Sequence, residues 1–199
     1  MGQRVYIVPD WLRDQPVPRG RTPVYLDPGL TFGTGSHAST QLCLGLLEKR
    51  VRPGDAVLDL GCGSGILSIA ALNLGAGRAA GVDIDPKSAD VAYENAALNG
   101  IGKDVYHVQA GDVLSDKALV AELAQAGPYQ VVLANIVSDV IIPLSAFVQA
   151  LMAPGGVFLC SGIIDTRADE VRGAIERNGL RVVEALERDG WAAYAAVRA

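Results

Sequence analysis

The stretch Ala56-Val57-Leu58-Asp59-Leu60-Gly61-Cys62-Gly63-Ser64-Gly65-Ile66 is an apolar strand run that breaks into three alternating glycines and resumes as a helix. Glycine lets the backbone turn sharply and approach a ligand closely. A helix that starts straight after such a loop offers free N–H groups and a positive dipole end. Outward from this point the same rhythm repeats. Strand patterns at 56–60, 79–84, 104–109, 129–134 and 156–161 alternate with helical patterns near 65–75, 86–99, 116–126 and 138–152. That alternation predicts a parallel sheet covered by helices on both faces, with right-handed crossovers. A last helix, 166–178, closes at Asn178-Gly179. The runs 180–187 and 191–198 then flank Arg188-Asp189-Gly190, and Asp-Gly between apolar runs signals a hairpin.

Upstream of the glycine loop, residues 36–50 read as a helix with Ser36 as N-cap and Leu42, Leu46 and Leu47 on the apolar face. Residues 4–11 suggest a short strand. Pro16, Pro18 and Pro23 follow, and proline removes backbone donors, so this segment reads as a linker. The chain thus divides into an N-terminal strand with a Pro-rich linker, 1–23, and one α/β domain, 24–199.

Composition excludes several classes. Half of the 199 residues are hydrophobic, yet no apolar run reaches the roughly 18 residues of a membrane span. The first residues lack the long apolar stretch of a secretory signal. Cys43, Cys62 and Cys160 are odd in number and widely spaced, which argues against disulfides or zinc and fits a reducing cytoplasm. With only His37 and His107 besides, no metal is expected. A net charge of −5 gives no basic footprint for nucleic acid, although an RNA-associated protein remains open as a substrate.

The loop spacing is G-x-G-x-G, and Ile66 stands where a dinucleotide fingerprint would place its third glycine. Asp59 lies two residues before Gly61. A carboxylate there would repel a pyrophosphate but favour S-adenosylmethionine, which carries an ammonium and a sulfonium and no phosphate. Alternatively, Asp59 is satisfied within the turn and touches no ligand. The second strand ends Gly81-Val82-Asp83-Ile84-Asp85-Pro86. Asp83 is placed to accept both ribose hydroxyls across the crevice, whereas Asp85 reads as a helix cap before Pro86. Asp112, after the third strand, either accepts from an adenine amino group or caps a turn.

The motif Asp59–Gly65 resembles the first motif of class I S-adenosylmethionine-dependent methyltransferases, whose mostly parallel, Rossmann-like, seven-stranded sheet ends in an antiparallel hairpin. The segment Leu26-Asp27-Pro28-Gly29-Leu30-Thr31-Phe32-Gly33-Thr34-Gly35-Ser36-His37, with Thr40, narrows the likeness. Together with Ala134-Asn135-Ile136 it resembles the bacterial family that methylates ribosomal protein L11. The likeness runs from about Arg4 to the last strand. It implies cofactor contacts at Thr40, Gly61, Asp83 and Asn135, and Asp59, Gly63, Asp112, Phe32, Gly33 and Thr34 are expected to bind the cofactor with them. It also implies a mobile lid at Phe32, Gly33, Thr34 and Gly35. His37 is left open between a catalytic role and a cap. Members of that family carry an N-terminal recognition domain. On this reading the chain is a catalytic fragment or a natural stand-alone variant.

Asn135 closes the fourth strand, where ligands of open α/β sheets bind. Ile136-Val137 follows instead of the Pro-Pro-aromatic motif used for planar nitrogens, which favours an aliphatic amine. The resemblance therefore implies methyl transfer to lysine or N-terminal amines of ribosomal protein L11, with Asn135 aligning the nitrogen. A lysine amine of pKa ~10.4 must first lose its proton. No residue stands out as a dedicated base, so water is the expected acceptor. Rival readings are another protein-lysine or small-amine substrate, a nicotinamide oxidoreductase, and a catalytically idle cofactor-binding partner module.

Overall fold

The computed structural model describes residues 3–27 and 35–199. The proposed lid residues Phe32, Gly33 and Thr34 lie outside the described residues. The five expected parallel strands all form, as β3 (Ala56–Leu60), β4 (Arg78–Asp83), β5 (Tyr106–Ala110), β6 (Tyr129–Asn135) and β7 (Met152–Ile164). The hairpin strands β8 (Leu180–Arg188) and β9 (Trp191–Arg198) complete a seven-stranded sheet in the order β5-β4-β3-β6-β7-β9-β8. Pairing is parallel from β5 to β7 and antiparallel for β9 with both neighbours. At the hairpin turn Asp189 and Gly190 have φ of 50° and 79°, the paired positive values of a type I′ turn.

Side chains alternate between two cores, as a sheet covered on both faces requires. Val57, Val131, Leu133, Val157 and Leu159 face α1 (Ala38–Arg50), α2 (Ile66–Asn73) and α3 (Lys87–Leu98). Leu58, Leu60, Val132, Ala134 and Phe158 face α4 (Lys117–Ala126), α5 (Ser138–Leu144) and α6 (Ala168–Arg177). The sheet's outer edges are managed differently. At β5, the Tyr93 hydroxyl donates to Val108 O (3.2 Å) and accepts from Val108 N (2.8 Å), while the Lys103 ammonium lies 4.1 Å from the Tyr93 ring centre. At β8, Arg181, Glu187 and Arg188 are exposed.

Three expectations need correction. The N-cap of α1 is His37, not Ser36: the His37 Nδ1 accepts from Ser39 N at 3.3 Å and lies 2.8 Å from Ser39 Oγ. The helix expected over 138–152 stops at Leu144, and a 3-10 turn, Val148–Leu151, leads into β7. Pro143 lies inside that helix and has no N–H to return to the Asp139 carbonyl, so the α pattern cannot continue cleanly. The third is Thr22–Leu26, read as linker up to Pro23, which forms a strand, β2, parallel to β1 (Val5–Pro9).

A two-stranded sheet is marginal alone, and this one is held by side chains. Val5, Val24 and Leu26 enter the core beside α1 and α2. The buried Glu48 carboxylate accepts from Gln3 N and Val5 N, both at 2.7 Å. On the other side, Asn73 donates to Pro23 O (2.9 Å), and Asn99 bonds both Tyr25 N (2.9 Å) and Tyr25 O (2.8 Å).

Candidate active site

The strand order reverses between β4 and β6, on either side of β3, which is where open α/β sheets place ligands. At the carboxyl ends of these strands two hollows open. One, of about 410 Å³, is lined by Thr40, Gly61, Gly63, Asn135, Val137 and Trp191, among others. The other, of about 370 Å³, is lined by Asp83, Ile84, Asp112, Val113 and Leu114, among others. Gly61 and Ile136 belong to both, so the hollows meet beneath the glycine loop. A ligand with two chemically distinct halves fits this shape. The second hollow is mainly apolar with carboxylates at its border, and the first offers hydroxyl, amide and backbone groups.

The loop owes its path to its glycines. Gly61, Gly63 and Gly65 have φ of 79°, 51° and 78°. A Cβ on Gly61 would fall inside the van der Waals envelope of Ile136 Cγ2. Gly61 N donates to Val82 O at 2.7 Å, and Gly63 N donates to the Asp83 Oδ2 at 2.8 Å. The other Asp83 oxygen accepts from Asp85 N at 3.0 Å. Asp83 therefore both borders the apolar hollow and fixes the loop, and each oxygen retains a lone pair. The residue before α3 is Pro86 rather than Asp85, and Asp85 accepts from Lys87 N at 3.0 Å across it.

Thr40 and Asn135 are 95 positions apart in the chain, yet they meet. The Asn135 Nδ2 donates to Thr40 Oγ1 at 3.2 Å. The Asn135 Oδ1 is buried and has no hydrogen-bond partner among the described residues. Leaving a buried carbonyl unpaired costs about 1–3 kcal/mol, and such a group lining a cavity is poised for an incoming donor. The first turn of α1 is pinned here from a second side, because the buried Ser161 Oγ on β7 donates to Ser39 O at 2.8 Å.

Asp59 and Asp112 stand apart from these groups. Asp59 shares the face of β3 that carries Val57, so its carboxyl is fully buried under α2. Its Oδ2 accepts from Ser68 Oγ at 2.9 Å, and it lines neither hollow. Burial pushes its pKa up to about 7, partly opposed by the Ser68 hydrogen bonds and reinforced by the charge of Asp83. Asp112 does border the apolar hollow. Its two oxygens are engaged by Leu114 N (2.9 Å) and Ser115 Oγ (2.7 Å), which hold its pKa below the ordinary carboxylate value and cap a turn.

Two lining groups, Trp191 and Gly162, were not expected from the sequence. Trp191, the first residue after the hairpin turn, packs edge-on against the His37 ring with centroids 4.8 Å apart, and both line the first hollow. Gly162, with φ of 83°, brings β7 against the Ile136 backbone. A tryptophan directly after Asp-Gly and a Ser-Gly pair closing a strand were local signals, but their convergence on Asn135 was not. Among the described residues no cluster of His, Cys, Asp and Glu could hold a metal ion.

The doubly covered sheet, its antiparallel end and the crevice under a glycine loop define a Rossmann-like methyltransferase fold. A solved tRNA methyltransferase, TrmK of B. subtilis, shares that fold with a TM-score of 0.60 at 20% identity, over 78% of this chain and 65% of the other. A family profile described as "Ribosomal protein L11 methyltransferase (PrmA)" matches residues 1–199, and the chain belongs to that family. The crystal structure of a ribosomal protein L11 methylase from Lactobacillus delbrueckii subsp. bulgaricus superposes with a TM-score of 0.85 at 33% identity, covering 99% of this chain and 96% of that one. Ribosomal protein L11 methyltransferases of Pelotomaculum thermopropionicum and Symbiobacterium thermophilum are 45% and 41% identical over 98% and 100% of this chain. The chain spans 60% and 61% of the length of those two relatives.

Proposed function

We propose that this chain transfers methyl groups from S-adenosylmethionine to aliphatic amines of ribosomal protein L11, within the cytoplasm. The buried Asn135 Oδ1 beside Thr40, unpartnered among the described residues, carries the reading, because a methyl-accepting nitrogen needs a hydrogen-bond acceptor to orient it. The residues present suit the cofactor. Asp83 can accept the ribose hydroxyls, with Ile84, Val113 and Leu114 beside the adenine and Asp112 at its rim. Gly61 and Gly63 would let the loop lie close, and Thr40 and Asn135 would face the methionine end. When bound, the cofactor supplies an electrophilic methyl carbon on a positively charged sulfur.

The chain's own residues then do three things. The lining of the first hollow carries no Asp, Glu, Lys or Arg among the described residues, so an entering lysine head is stripped of water without a counter-charge. Desolvation of that kind favours the neutral amine. The Asn135 carbonyl accepts an N–H and aims the nitrogen lone pair, and Thr40 holds the amide in that orientation. Trp191 and His37 wall the hollow, with the His37 Nδ1 already engaged by Ser39. The proton leaves to water, and the rate gain is mainly alignment.

Radiolabelled methyl transfer to purified ribosomal protein L11, with mass spectrometry of the modified amines, tests the reading. The wild-type chain should label the protein. Asn135→Ala should stay folded and bind cofactor, yet lose about 10²-fold or more in single-turnover rate, the scale on which misaligned reactants slow. Wild-type rates in that variant would reduce Asn135 to a strand-end strut.

A further inference from the structure

Asn95 sits inside α3, near its C-terminal end, a place where asparagine is a poor helix former. It is fully buried, and both ends of its amide are used. Its Oδ1 accepts from Asp27 N at 2.9 Å, at the residue that follows β2. Its Nδ2 donates to Ser64 O at 2.9 Å, inside the glycine loop. A single side chain thus spans two backbone segments 37 positions apart in the sequence, counted from Asp27 to Ser64. Asn99, one turn later, also clamps β2, but its contacts are with Tyr25, Asn73 and the Asn95 carbonyl. It does not reach the loop.

We propose that Asn95 is a positioning residue of the cofactor site, fixing the Ser64 carbonyl of the glycine loop against the chain that leaves β2. The proposal rests on the reading of the loop as the cofactor cradle given above. Only a short primary amide supplies a donor and an acceptor at this spacing, and burial excludes water as a substitute. The opposite side of the loop is held by Asp83 through Gly63 N, so the loop is gripped from two helix–strand units at once. Loss of the Asn95 grip removes this restraint on the Ser64 carbonyl. The loop then no longer presents a ready-made cradle, and part of the binding free energy goes into ordering it.

The test compares Asn95→Ala and Asn95→Gln with Asn99→Ala, titrating each with S-adenosylhomocysteine by calorimetry beside a thermal melt. Gln keeps both amide functions one methylene too far out, and it serves if the Ala variant fails to fold. All three should melt lower than wild type, since each loses bonds to β2. The Asn95 variants should bind the ligand about tenfold more weakly or worse, the factor that one unmade buried hydrogen bond is worth. Asn99→Ala should bind like wild type. In methyl transfer, the Asn95 variants should show a raised KM for the cofactor with kcat at saturation near wild type. A folded Asn95 variant with wild-type affinity overturns the proposal and leaves Asn95 a strut for β2. A wild-type chain that binds no S-adenosylhomocysteine overturns the reading of the site itself, and this inference with it.

Discussion

Replacing Asp59 by Asn should change how stability depends on pH, and the direction follows from burial. The carboxyl lies fully inside, accepts one hydrogen bond from Ser68, and leaves its Oδ1 without a partner among the described residues. In the fold it titrates near 7, because burial penalises the charged form. In the unfolded chain it titrates near the ordinary ~3.9. Between those values the folded state binds more protons than the unfolded one, so stability must fall as pH rises. At about 1.4 kcal/mol per pH unit over roughly three units, the loss amounts to about 4 kcal/mol. Above pH 7 it is complete, and below about pH 4 it is absent. Asp59→Asn cannot ionise and abolishes this slope, but it introduces an unpaired amide N–H costing about 1–3 kcal/mol. The wild type should therefore be the more stable by about 1–3 kcal/mol in acid, and the curves should cross so that the variant is the more stable by a similar margin toward pH 8. Urea unfolding at half-unit steps from pH 5 to pH 8 measures both, and the difference cancels every other titrating group. A wild-type-minus-variant difference that stays flat across that range refutes the reasoning.

Gly61→Ala should destabilise the chain by about 2 kcal/mol or more, since a φ of 79° strains an L side chain and the new methyl meets Ile136. Chemical denaturation reads the loss, and Ile136→Ala added to it should recover the steric part but not the backbone part. Asp83→Ala should weaken S-adenosylhomocysteine binding by about 1–3 kcal/mol, through unpaired ribose hydroxyls and a freed Gly63 N–H. Calorimetry that finds unchanged affinity would remove Asp83 from the site.

Features decided by neighbouring residues were legible in the sequence. The turn chemistry of Asp189-Gly190 and the strand-to-helix glycine loop each depend on a few adjacent residues, and each formed as read. Features decided at a distance were not. Strand β2 contains a proline and owes its place to Asn73 at the end of α2 and Asn99 just past α3, which lie 50 and 74 positions from their partners. The face of Asp59 is a matter of strand parity. Parity puts it on the side of Val57, but nothing local says that this side lies under α2 rather than toward the crevice. Ser36 had the better cap chemistry on paper, but the imidazole one residue on took that role, supported by its packing against Trp191. The break at Pro143 was local and readable, and the apolar run on either side of it masked the signal.

The Tyr93 hydroxyl at the rim of the sheet has a bearing on how the molecule behaves in a crowded solution. An outermost strand with bare N–H and C=O groups is a template on which another chain can crystallise its own backbone, the first step toward ordered aggregates. At Val108, midway along β5, both of those groups are already taken by one phenol. A newcomer would have to evict that phenol from two bonds, push aside its ring, and meet the Lys103 ammonium resting on it. The opposite rim, β8, greets a newcomer with the exposed charges of Arg181, Glu187 and Arg188. Substituting Phe for Tyr at 93 would keep the packing and surrender the two bonds. The outward backbone groups at the middle of the β5 rim are thus occupied by a single oxygen atom on a helix.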